Sequence, residues 1–101
     1  MTFGTGEREV MQSALNIYGR DNQFDIAIEE MSELTKAIIK HRRYATAETY
    51  ENLCEEIADV MIMVEQLAMA TEYSEIGRHI YGKIERLKQR LRKEIGRDVT
   101  I

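Results

Sequence analysis

Residues 57–70 form the segment that most constrains the fold, because they are apolar on nearly every side of a predicted helix. A helix without a polar side has to be surrounded by other elements. Three other helices in a chain of 101 residues can hardly surround it. We therefore expect part of this surface to meet another subunit, across a two-fold axis, in an obligate homodimer or homotetramer.

Hydrophobic periodicity predicts four helices and no other regular structure. The chain has no proline and is rich in Glu, Lys, Ala, Ile, Leu and Met, a composition that favours helices. Thr5 is a plausible N-cap of the first helix and Gly19 its stop, while Thr46 and Thr49 give a partial capping signal before the third. The predicted helices cover residues 7–18, from just after Asp21 or Asn22 to about 42, 47–71 and 74–95. We expect a single all-α domain over residues 1–101, with a four-helix bundle-like fold.

Two pairs of acids lie at the edges of apolar stripes. Each pair has a spacing of three, which places both carboxylates on one side of a helix. Glu30 and Glu33 lie beside the predicted apolar stripe of the second helix, and Glu56 and Asp59 lie along one edge of the third. The predicted stripe of the second helix consists of Phe24, Ala27, Ile28, Met31, Leu34, Thr35 and Ile38.

The fourth predicted helix has an apolar seam with a basic row beside it. Its apolar residues recur in steps of four and three toward the end of the helix, as in a coiled coil. The seam consists of Ile76, Ile80, Ile84, Leu87 and Leu91, and the basic row of His79, Lys83, Arg86 and Arg90.

Charge and composition exclude several classes of partner. A net charge of −4 and a pI near 5.2 argue against nucleic acid, which normally requires a basic surface. The N-terminus carries no secretory signal, and the longest apolar stretch, residues 57–64, is too short to span a bilayer. A lone Cys54 cannot form an internal disulfide, which favours a reducing cytoplasm.

Four carboxylates at a packing edge call for a cation. Pairs of acids on two facing antiparallel helices converge, as they do in metal sites of helical bundles. Oxygen ligands without thiolate or imidazole suit Mg²⁺ or Mn²⁺ better than zinc. A solvated alternative pairs Lys36 and Lys40 with Glu33, and Lys36 with Glu29, on the helix surface. A di-iron bundle is disfavoured, because neither His41 nor His79 lies three residues after a glutamate.

These motifs resemble those of the MazG-like, all-α nucleoside triphosphate pyrophosphohydrolases. The resemblance covers about residues 18–91 and rests on Glu29-Glu30-x-x-Glu33 followed by Glu56-x-x-Asp59. It implies a helical dimer or tetramer that uses Mg²⁺ to cleave a nucleoside triphosphate to the monophosphate and pyrophosphate. Carried over by position, the metal ligands are Glu30, Glu33, Glu56 and Asp59. Glu29 matches the leading glutamate of the first motif. Whether it binds the metal, accepts a proton from water or supports the other ligands stays open.

The resemblance also implies substrate contacts outside the acidic motifs. Gln23 lies two helical turns before Glu30 on the same face, and Lys83 and Arg86 match basic positions near the triphosphate. A polar helix start and a solvated basic face explain these residues about as well. Two alternatives remain open: the phosphoribosyl-ATP pyrophosphohydrolase of histidine synthesis, and a non-catalytic helical oligomerisation module.

Overall fold

The computed structural model describes residues 3–96, which form four α-helices and no strand. About 90% of this part of the chain is helical, so the prediction of an all-α fold with four helices is confirmed. Between residues 3 and 96, no helix is both long and apolar enough to cross a membrane. The helices are α1 (Thr5–Tyr18), α2 (Arg20–Tyr44), α3 (Ala47–Met69) and α4 (Tyr73–Ile95).

A single glycine separates α1 from α2. Gly19 has φ 92°, in the region that favours glycine because a Cβ would be strained there. Its N–H donates to the Leu15 carbonyl, and its own carbonyl accepts from the Gln23 N–H, both at 3.1 Å. One residue thus ends α1 and starts α2, so α2 begins earlier than predicted. Gly4, and not Thr5, caps α1, because its N–H donates to Glu7 Oε1 at 2.7 Å.

The turn between α2 and α3 is equally short. Ala45 ends α2 in the left-handed conformation, with φ 48°. Thr46 and Thr49 form the predicted capping box: the Thr49 N–H donates to Thr46 Oγ1 at 3.1 Å, and the Thr46 N–H donates to Thr49 Oγ1 at 3.0 Å. A two-residue connection folds α3 back along α2 as an antiparallel hairpin.

Small residues allow α2 and α3 to pack closely. Ala27 and Ala37 are each 1% exposed, and Met63 of α3 is buried with them. The predicted stripe of α2 is therefore wrong in part: Ala27 belongs to the buried face, but Ile28 is 63% exposed and Met31 and Ile38 are also exposed. A face rich in alanine packs against α3 because it permits the closest approach.

The described chain divides into two compact units, with the boundary between Thr71 and Glu72. In the first unit, α1 packs against α2 and α3, Met11 and Leu15 are buried, and Arg8 pairs with Glu65 at 3.3 Å. The second unit is built on α4, which has no buried residue. That all of residues 1–101 form one domain stays a prediction.

Candidate metal centre

Three of the predicted acids meet on the inner side of the α2–α3 hairpin. Glu30 of α2 and Glu56 and Asp59 of α3 each offer one carboxylate oxygen, and these three oxygens lie within 4.8 Å of one another. Glu30 and Glu56 are half-buried, while Asp59 is exposed. The site is therefore open to solvent on one side.

The helical register explains why these acids converge. Glu30 lies three residues after Ala27 and seven before Ala37, so it is on the face of α2 that packs against α3. Glu56 lies seven residues before the buried Met63, which places it on the corresponding face of α3. The spacing of three then brings Asp59 to the same side as Glu56.

The cluster raises the pKa of two of its members above the ordinary value of 4.5. For Glu30 the largest cause is desolvation, followed by the charges of Asp59, Glu56, Glu33 and Glu29. For Glu56 the largest cause is again desolvation, followed by the charges of Asp59, Glu33 and Glu55. Both effects disfavour the charged form, so the cluster favours either protons or a cation.

One carboxylate oxygen of the cluster residues is buried without a hydrogen-bond partner. Glu56 Oε2 is buried and has no hydrogen-bond partner among residues 3–96. A buried acceptor without a partner is costly to maintain. A hard divalent cation would satisfy this oxygen and relieve the repulsion between the acids, and an all-oxygen donor set suits Mg²⁺ or Mn²⁺. The residues present fit such an ion.

The remaining acids of the motif lie at the edge of the cluster. Glu33 is exposed and pairs with Lys36 at 3.4 Å, yet its charge contributes to the raised pKa of both Glu30 and Glu56. It does not belong to the three acids whose oxygens converge. Glu29 is exposed and affects only the pKa of Glu30. The catalytic role of Glu29 and the role of Glu33 as a metal ligand stay predictions.

The predicted substrate residues lie on α2 and on α4. Gln23 is buried on the inner face of α2, and its Nε2 donates to Asn22 Oδ1 at 3.3 Å. Lys83 and Arg86 lie on α4, where they line a surface depression with Gln89 and Arg90. Their role as substrate contacts stays a prediction.

Sequence reasoning missed a polar depression at the turn end of the hairpin. It measures about 560 Å³, and His41 Nδ1 lies 2.9 Å from Thr49 Oγ1 beside it. The depression is lined by Lys40, Tyr44, Thr46, Glu48, Thr49 and Asn52.

Comparisons with protein-family models, with curated proteins and with solved structures find no match to this chain. The resemblance to the MazG-like enzymes therefore rests on the two acidic motifs and their placement on one helical hairpin.

The raised pKa values predict how stability depends on pH in a chelator. A carboxyl whose pKa is higher in the folded state than in the unfolded state stabilises the fold while it is protonated. Its contribution is present below about pH 4.5 and is lost as the pH rises through the raised pKa. We expect Glu30→Gln to gain thermal stability over the wild type as the pH rises from about 4 to 7, whereas Glu9→Gln, at an exposed acid of α1, shows no such trend. A stability difference between Glu30→Gln and wild type that is constant with pH would contradict this account.

Proposed function

We propose that this chain is a Mg²⁺-dependent nucleoside triphosphate pyrophosphohydrolase. It cleaves a ribo- or deoxyribonucleoside triphosphate to the monophosphate and pyrophosphate, by attack of water at the α-phosphorus, and so controls nucleotide pools in the cytoplasm. The observation that carries the proposal is the convergence of Glu30, Glu56 and Asp59 within 4.8 Å, from both arms of a helical hairpin. The spacing of the two acidic motifs supports the assignment to this class of hydrolase.

The acids bind the metal ion of the proposed reaction. Glu30, Glu56 and Asp59 hold the cation, with Glu33 as the fourth ligand. When bound, Mg²⁺ offsets the negative charge of the triphosphate and draws it to an otherwise acidic surface. Since Asp59 is exposed while Glu56 is half-buried, the ligands leave an open side for phosphate oxygens and water.

The remaining predicted residues act on water and on the leaving group. Glu29 is exposed next to Glu30, where its carboxylate can accept a proton from the attacking water. The resemblance assigns to Lys83 and Arg86 the stabilisation of the charge that develops on pyrophosphate as the bond breaks. Gln23 orients the nucleotide from the inner face of α2.

A product analysis tests the proposal directly. The purified chain is incubated with each of the eight common ribo- and deoxyribonucleoside triphosphates and Mg²⁺, and pyrophosphate and single phosphate are measured separately. We expect pyrophosphate and monophosphate in equal amounts, with Mn²⁺ replacing Mg²⁺. Release of single phosphate alone would rule out attack at the α-phosphorus. Activity on phosphoribosyl-ATP and on none of the eight would assign the chain to histidine synthesis.

A second candidate is a non-catalytic helical oligomerisation module. The observation that favours it is the number of large apolar side chains left exposed on α2, α3 and α4, including Ile28, Ile57 and Ile84. Such a module would form oligomers without Mg²⁺ and turn over no nucleotide. Oligomers of unchanged stability in chelator, together with no product from any substrate above, would favour it over the enzyme.

A further inference from the structure

The most conspicuous unpartnered surface of the described chain is the apolar face of α4. Its four central apolar residues, Ile80, Ile84, Leu87 and Leu91, are all exposed, and we call them the α4 seam. Their spacing of four, three and four is that of a helix that packs against another helix. A contiguous apolar stripe of this kind on a soluble surface marks an interaction site.

The charges beside the α4 seam exclude a second α4 as its partner. Lys83, Lys88 and Arg90 each lie next to a seam residue in the sequence. When two identical helices pair, the residues that flank one seam face the flanks of the other. Lysine and arginine would then oppose lysine and arginine in either orientation, and like charges at these positions disfavour pairing. The partner helix should carry acids.

A helix with these properties exists in the first unit. Tyr50, Cys54, Ile57, Met61 and Val64 of α3 recur with spacings of four, three, four and three, and we call them the α3 stripe. All are exposed except Met61, which is half-buried. Cys54, Ile57 and Met61 also line an apolar depression of about 180 Å³ with Phe3, Ala58 and Ile62.

The α4 seam and the α3 stripe belong to segments of opposite net charge. Residues 1–71 carry six Lys or Arg and thirteen Asp or Glu, a net charge of −7, whereas residues 72–101 carry eight and five, a net charge of +3. Glu51 and Glu65 directly follow Tyr50 and Val64 at the edge of the α3 stripe, and Glu65 already pairs with Arg8. Opposite charges steer such surfaces together and fix their register.

We propose that the α4 seam of one chain packs on the α3 stripe of a second copy of this chain. A two-fold axis repeats the contact, so one dimer covers both α4 seams and both α3 stripes and leaves no copy of either open. This inference does not depend on the proposed catalytic function. It gives α4 a role in binding a second copy of the chain. The α2–α3 hairpin does not use the residues of α4.

Cysteine pairing between differently tagged chains tests this arrangement, since Cys54 is the single cysteine of the chain and belongs to the α3 stripe. One chain keeps Cys54; the other carries Cys54→Ala together with one of Ile80→Cys, Ile84→Cys, Leu87→Cys or Leu91→Cys. After mixing and mild oxidation, we expect a disulfide between the two tags for at least one seam position, and none for Gln89→Cys on the other side of α4. No disulfide between the two tags at any seam position, or disulfides only between two Cys54 residues or only between two α4 helices, would each overturn the proposal.

Leu87→Glu tests the energetic role of the α4 seam. Loss of one central apolar contact and burial of a charge are expected to weaken the dimer roughly 100-fold or more, as measured by sedimentation velocity over a range of concentrations. Gln89→Glu carries the same charge outside the α4 seam and should leave the dimer unchanged, while circular dichroism confirms that both variants are helical. A wild-type chain that stays monomeric at every concentration would overturn the proposal, as would monomers that bind vesicles of phosphatidylglycerol and phosphatidylcholine through the seam.

Discussion

Glu30→Gln is expected to lower the rate of pyrophosphate release at least about 100-fold while the metal-free protein stays as stable as the wild type or becomes more stable. Loss of a residue that merely supports a metal ligand typically costs 10- to 100-fold, so loss of a direct ligand should cost more. The opposite effect on stability follows because desolvation, and after it the charges of Asp59 and Glu56, raise the pKa of Glu30. Removing its charge relieves repulsion that Mg²⁺ would otherwise relieve.

The measurements are turnover with saturating Mg²⁺ and the melting temperature in chelator at pH 7. Glu9→Gln is the matched control, since it removes the same charge from an exposed position of α1 outside the cluster, and it should change neither quantity appreciably. A Glu30→Gln protein that melts at a lower temperature but keeps full turnover would contradict the assignment, because that result describes a structural glutamate.

Ala37→Leu is expected to lower the free energy of unfolding by about 1–3 kcal/mol, the usual cost of overpacking a well-filled interior. Ala37 is 1% exposed on the side of α2 that packs against α3. A larger side chain there has to separate the two helices. Because Glu30 lies two turns away on the same face, the separation should also weaken Mg²⁺ binding.

Urea denaturation measures the first effect and calorimetric titration with Mg²⁺ the second. Ala47→Leu provides the control, since Ala47 is an exposed residue at the start of α3 and a leucine there meets solvent. Equal stability of the two variants would show that the α2–α3 contact is looser than the structure has it. Reduced stability with unchanged Mg²⁺ affinity would show that the packing of α2 against α3 does not affect the metal centre.

The sequence predicted the helices well because their limits depend on local chemistry. Gly19 ends α1 with a conformation that other residues adopt only with strain, and Thr46 with Thr49 starts α3 through hydrogen bonds inside one turn. Such signals need no knowledge of distant contacts. Even so, the limits of α1 and α2 differ by two residues or so, because Gly4 and Gly19 act as caps without side chains.

The packing face of α2 could not be predicted in the same way. The larger apolar side chains of that helix, Ile28 and Ile38, are exposed in the single chain. The face with Ala27 and Ala37 packs against α3, since the close approach of two helices depends on what both present and not on the hydrophobicity of one. As a result, Glu30 lies nearer the middle of the face that packs against α3 than predicted, since the prediction placed it at the edge of the apolar stripe.

The sequence predicted that the two acidic pairs converge, but which of the four acids meet depends on the register of the hairpin. A spacing of three fixes which side of one helix Glu56 and Asp59 share. Only the two-residue turn at Ala45 and Thr46 sets the register that brings Glu30 opposite them. Glu33 shows the limit of that reasoning, because the same spacing leaves it exposed and paired with Lys36.

The most direct test of the central claim is anomalous diffraction from crystals grown with Mn²⁺ in place of Mg²⁺, with data collected on both sides of the manganese absorption edge. The account predicts a manganese peak bounded by the carboxylates of Glu30, Glu56 and Asp59, close enough to Glu56 Oε2 for direct coordination, and no such peak in Glu30→Gln. Ordered carboxylates with no manganese between them, or manganese bound only elsewhere on the chain, would contradict it.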